Sequence, residues 1–158
     1  MKAVSVATIK KELQFRSSEE LTELCLRLAK FKKENKELLT YLLFESDNED
    51  EYIETVKLFI DEQFEVININ SYFYIKKSVR KILRNIKKFA RYSLKKETEV
   101  ELLLYFCQKL KTFKPSIKNN VTLTNILERQ ILLIKKIVLT LHEDLQYDYK
   151  LMLDELQE

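Results

Sequence analysis

Apolar residues recur at three- and four-residue intervals along almost the whole chain, the spacing that gathers them on one face of an α-helix. Val6, Ile9 and Leu13 predict a short helix over about Val4 to Gln14. Ser17-Ser18-Glu19-Glu20 then reads as a capping box, in which a serine oxygen takes the amide three residues on and Glu20 reaches back. The helix that it starts carries Leu21, Leu24, Cys25, Leu28 and Ala29. Asn35 marks a break or a bend before Leu38, Leu39, Leu42 and Leu43.

Ser46-Asp47-Asn48 is a polar break with capping residues. After it, Tyr52, Ile53, Val56, Phe59, Ile60 and Phe64 predict a helix over Glu49 to Glu65. Residues 66–74 have high β propensity, but the chain offers no second strand to pair with them. They are predicted as a connection leading to a helix capped near Asn70 or Ser71, with a strand as the alternative. The stripe Ile75, Val79, Ile82, Ile86 and Phe89 predicts a helix from Tyr72 to about Tyr92. Another follows from about Thr98 to Phe113. Pro115 to Asn120 reads as a loop, with Thr122 or Thr124 capping the next helix, which runs to about Leu141. That helix is apolar on most sides, which predicts a central position. A last helix covers Glu143 to Leu156 or continues the one before.

The fold expected is therefore all-α, with six to eight helices in antiparallel hairpins. They would form an irregular bundle or a short HEAT/TPR-like helical-repeat array. Leu26 to Phe31 with Glu37-Leu38-Leu39-Thr40-Tyr41 echoes Leu83 to Phe89 with Glu101-Leu102-Leu103-Leu104-Tyr105, as a duplicated hairpin would. A chain of 158 residues fits one domain over 1–158, or two helical-hairpin halves of about 1–67 and 68–158.

Composition narrows the chemistry. The chain has no glycine and one proline, Pro115. Phosphate-binding glycine loops, nucleophile elbows and tight primed hairpin turns need positive φ without strain, so they are not expected. No run of apolar residues approaches the ~20 that a membrane span requires, and no secretory leader is read at the start. Cys25 and Cys107 lie in apolar helical contexts and are expected to be free and buried. A cytoplasmic location is the expectation. The sole histidine, His142, is placed near the end of a long helix, where an imidazolium would meet the negative end of the helix dipole. No paired acids, zinc ligands or nucleophile–base motif stand out. The chain is thus expected to be non-enzymatic, with no cofactor and no metal; an enzyme with an unrecognised site is the remote alternative.

The net charge of +3 conceals a strong partition. Residues 45–65 hold nine acids and one base, whereas 76–96 hold ten bases and no acid. Lys76, Lys77, Arg80, Lys81, Arg84, Lys87, Lys88 and Arg91 are candidates for a surface that meets nucleic acid or an acidic partner. The structural alternative is that the acidic helix packs beside the basic one and neutralises it across their rims. Tyr72, Phe73, Tyr74, Tyr147 and Tyr149 are candidate interface aromatics, since such residues are enriched where proteins meet. A helical module for protein association, with itself or with another protein, is the leading functional expectation. Nucleic-acid binding through the basic helix is the alternative.

Ile9-Lys10-Lys11-Glu12-Leu13, then Ser17-Ser18-Glu19-Glu20-Leu21, then Lys32-Lys33-Glu34-Asn35-Lys36-Glu37 resembles the start of some uncharacterised all-helical bacterial proteins. In those proteins a Lys-Lys-x-Leu helix precedes a Leu-Ser-x-Glu-x-Leu hairpin; here Phe15-Arg16 stands in place of the Leu-Ser pair. The resemblance covers about the first 45 residues. It implies a bacterial, cytoplasmic, helical-hairpin protein and transfers no site residue.

Overall fold

The computed structural model describes residues 1–157, which form eight α-helices and no strand. The fold is all-α. Helices α1 (Val6–Leu13), α2 (Ser18–Phe31) and α3 (Lys33–Thr40) belong to a first compact unit, Met1–Phe44. Helices α4 (Glu49–Glu65), α5 (Tyr72–Ser93), α6 (Lys96–Thr112), α7 (Val121–Val138) and α8 (Glu143–Gln157) belong to a second that begins at Glu45. The boundary falls between residues 44 and 45. The division considered near 67/68 lies instead inside the second unit, where α4 packs on both α5 and α6.

In the first unit, side-chain oxygens start α1 and α2. Ser5 Oγ accepts the Thr8 amide at 3.2 Å, and the predicted capping box forms, Ser17 Oγ taking the Glu20 amide at 3.2 Å while Glu20 takes the Ser17 amide at 2.9 Å. The chain breaks between α2 and α3 at Lys32, whose backbone is extended. Asn35 does not make the break. It lies inside α3 and its Nδ2 donates to the Leu28 carbonyl at 2.8 Å, which satisfies one of the free carbonyls at the end of α2. A π-helical segment, Tyr41–Glu45, follows α3.

In the second unit, Asn48 caps α4 and residues 66–71 form a connection, not a strand. Ser71 precedes α5 without capping it through its side chain. Helix α5 ends at Leu94, whose φ of 60° puts it in the left-handed region where glycine is usual. A glycine-free chain has to place a side chain there, and Leu94 turns it to solvent. Asn120 starts α7, its Oδ1 accepting the Leu123 amide at 3.2 Å. Neither Thr122 nor Thr124 is the cap. The Thr124 hydroxyl lies inside the helix and donates back to the Ile117 and Asn120 carbonyls, both at 3.2 Å.

The central helix of this unit is α6, not α7. Helices α4, α5, α7 and α8 all pack on it. It buries Val100, Leu102, Leu103, Leu104, Phe106, Cys107 and Leu110, the unbroken apolar run from Leu102 to Cys107 serving neighbours on every side. Helix α7 buries Leu123, Ile131, Ile134, Ile137 and Val138 but turns Leu132 outward, and Leu139 just past its end is exposed too.

Candidate interaction surfaces

The apolar stripe of α5 points into the second unit. Ile75, Val79, Ile82, Ile86 and Ala90 are buried against neighbours that include α4 and α6. At 3.6 residues per turn, Lys77, Arg80, Lys81, Arg84, Lys87, Lys88 and Arg91 fall within an arc of about 120° on the other side. All of these are exposed except Lys88, which is half-buried with its ammonium 4.9 Å from the centre of the Phe89 ring. Lys76, also half-buried, sits at the edge of the stripe.

The acidic helix does lie beside the basic one, and three of its acids have partners away from the outer face of α5. Asp61 pairs with Lys109 of α6 at 2.7 Å and accepts the Tyr105 hydroxyl at 2.8 Å. Burial alone would raise the Asp61 carboxyl; the hydrogen bonds from Lys109 and Tyr105 outweigh it and hold the group below the usual aspartate range. Lys57 bridges Glu54 at 2.8 Å and Glu101 of α6 at 3.5 Å. Glu49, in the first turn of α4, accepts hydrogen bonds from Ser93 and Thr98 and pairs with Lys95 at 3.0 Å. Among the described residues, none of Lys76, Lys77, Arg80, Lys81, Arg84, Lys87 and Arg91 pairs with a carboxylate. The packing stripe sets this cationic face away from the core, so the neutralisation considered from sequence reaches the end of the basic stretch, where Glu49 meets Lys95, and leaves out Lys77, Arg80, Lys81, Arg84, Lys87 and Arg91.

The five candidate aromatics separate. Phe73 and Tyr74 are exposed, at 67% and 46%, and stack edge to face with ring centres 5.4 Å apart. Tyr147 is exposed as well. Tyr72 is half-buried, and its hydroxyl donates to the Ser116 carbonyl at 2.8 Å. Tyr149 is buried at 6% exposure and its hydroxyl faces Glu101 at 3.5 Å, so α8 uses it as a core residue. Burial, with the charges of Glu101 and Glu97, pushes its phenol up to about 12.

No protein-family model, curated protein or solved structure matches the chain. Its surfaces are therefore read from their own chemistry.

His142 is not at a helix C-terminus. Helix α7 stops at Val138, and the His142 carbonyl accepts the Gln146 amide at 2.9 Å, which places the residue at the start of α8. Its Nδ1 lies 3.4 Å from the Asp144 amide, as an acceptor. The two cysteines also differ. Cys107 is buried, and burial pushes its thiol up to about 12, whereas Cys25 is exposed. Among the described residues, no three histidine, cysteine or acidic side chains gather as a metal site, and no helix is long and apolar enough to cross a membrane.

The surface that the periodicity does not reveal lies in the first unit. Tyr41 is the one buried apolar residue there. Ile9, Leu13, Leu24, Leu26, Leu28, Phe31, Leu42, Leu43 and Phe44 are all exposed. Helices α1 and α2 flank an open groove of about 490 Å³ lined by Val4, Ile9, Leu13 and Leu24, with Glu12, Arg16, Glu20, Glu23 and Arg27 along it. A second groove of about 230 Å³ runs between α2 and α3 beside Cys25, Leu28, Leu38 and Leu42. The one available signal was apolar residues off the stripe, at Phe15, Leu26 and Phe31, in helices too short to enclose them.

Proposed function

We propose that the chain is a non-enzymatic helical association module that pairs with a second copy through residues 1–44. The observation that carries this reading is the uncovered apolar surface of α1, α2 and α3. Monomeric proteins rarely leave so contiguous an apolar area in water, and a patch rimmed by charge marks a contact site. Three short helices cannot bury their own stripes, whereas two copies placed face to face can, as in a helical bundle assembled from hairpins.

Charge favours a second copy as the occupant. Glu20 and Arg27 lie along the α1–α2 groove, one turn to either side of Leu24. A two-fold axis near Leu24 sets Glu20 of one copy against Arg27 of the other, twice over. Such an isologous contact closes at the dimer and leaves no open end for further growth.

Light scattering on the purified protein should give twice the chain mass of 19.0 kDa. Changing Leu24 and Leu28 together to glutamate should return it to a monomer, because four new carboxylates would then face one another across the axis. Both positions are exposed, so the circular dichroism of the variant should be unchanged. A native chain that stays monomeric at its highest soluble concentration would overturn the proposal, as would a double variant that remains dimeric.

A further inference from the structure

We infer that the outer face of α5 binds single-stranded nucleic acid, its arginines and lysines holding successive phosphates while Phe73 and Tyr74 stack on bases. The inference goes beyond pairing through residues 1–44 and does not depend on it.

The geometry suits a polyanion. From Lys77 to Arg91 the cationic face runs for about 21 Å of helix axis. Six of its seven basic groups are exposed, and no carboxylate within the described fold pairs with Lys77, Arg80, Lys81, Arg84, Lys87 or Arg91. The bases therefore repel one another in the free protein. That repulsion is relieved when phosphates take their place among them and condensed counterions are released.

The aromatics favour a single strand. Phe73 lies on the same arc as Arg80, Arg84 and Arg91, one turn before Lys77, so it heads the cationic row. Its ring is two-thirds exposed, and Tyr74 packs on it edge to face. An exposed aromatic pair at the end of a phosphate track is the arrangement that takes an unpaired base, and any base will do because each has a π face. A duplex hides those faces, and an acidic peptide has none to offer. Tyr72 donates to the Ser116 carbonyl in the loop that carries Lys114 and Lys118, both exposed.

The test is fluorescence anisotropy with labelled oligouridine and oligothymidine at low salt, with a duplex of equal length and polyglutamate as competitors. Binding should weaken linearly in log salt, and changing Arg80, Arg84 and Arg91 to glutamine should lower that slope by about two, at about 0.7 per phosphate contact. Phe73→Ala should weaken binding by about fivefold or more without changing the slope, because stacking carries no charge. Circular dichroism should show the fold intact in each variant, since every altered side chain is exposed; Arg84→Gln alone should lower the slope by about 0.7 if the triple variant does not fold. Absence of binding at low salt would overturn the proposal. Preference for the duplex with no effect of Phe73→Ala would overturn it, and so would equal competition by polyglutamate, which would assign the face to an acidic protein.

Discussion

Truncating Phe106 to alanine is expected to cost about 3–5 kcal/mol of unfolding free energy, the range for removing a buried aromatic ring and leaving a cavity. Phe106 is completely buried on α6, its ring 5.9 Å from that of Phe64 on α4. Close-packed neighbours from several helices relax only partly around such a gap. The comparison that gives the measurement meaning is Leu132→Ala on α7, whose side chain is 59% exposed and should cost well under 1 kcal/mol. Urea unfolding of both variants checks which faces of α6 and α7 are covered. Equal losses would show that Leu132 is packed as closely as Phe106.

Replacing Glu49 with alanine is expected to cost about 1.5–3 kcal/mol, the usual weight of hydrogen bonds to a charged group. The Glu49 carboxylate ties the first turn of α4 to the junction of α5 and α6 through Ser93, Thr98 and Lys95. Its side chain is only 14% exposed, and Thr98 is buried, so truncation strands the Thr98 hydroxyl without its 2.5 Å acceptor. Lys95 is half exposed, and Lys95→Ala should cost far less. A double-mutant cycle of Glu49→Ala with Thr98→Val isolates the coupling, which should be clearly different from zero because the two groups share one bond. Additive losses would mean that Glu49 acts only through its charge at the helix start.

Several helices were legible because their starts are written in short polar words. Asn48 followed by three acids opens α4 at Glu49, and Ser17 with Glu20 opens α2. The stripe of α5 was equally plain, since Ile75, Val79, Ile82 and Ile86 repeat at helical spacing and all four are buried. Position within the bundle was not legible. Periodicity reports one greasy face per helix and not how many neighbours will cover it, so α7 looked more central than α6. The same blindness affected Leu24, Leu28 and Cys25, whose stripe reads alike whether a partner layer exists or not. His142 and Thr124 were misplaced because each lay within a few residues of a better terminus, at Val138 and Asn120. The charge partition was visible, but its consequence was not. Only the side-chain geometry shows Asp61 and Glu49 satisfied through α6 and its leading turn, with the arginines of α5 left out.

The contrast between the two sulfurs turns the native sequence into a singly addressable protein. Maleimides and spin labels react with thiolate that solvent can reach, and Cys107 offers neither the ionised form nor access, while Cys25 lies in the open α2–α3 groove. One reporter can thus be attached to the first unit with no substitution at all. It should sense any molecule that comes to cover that groove.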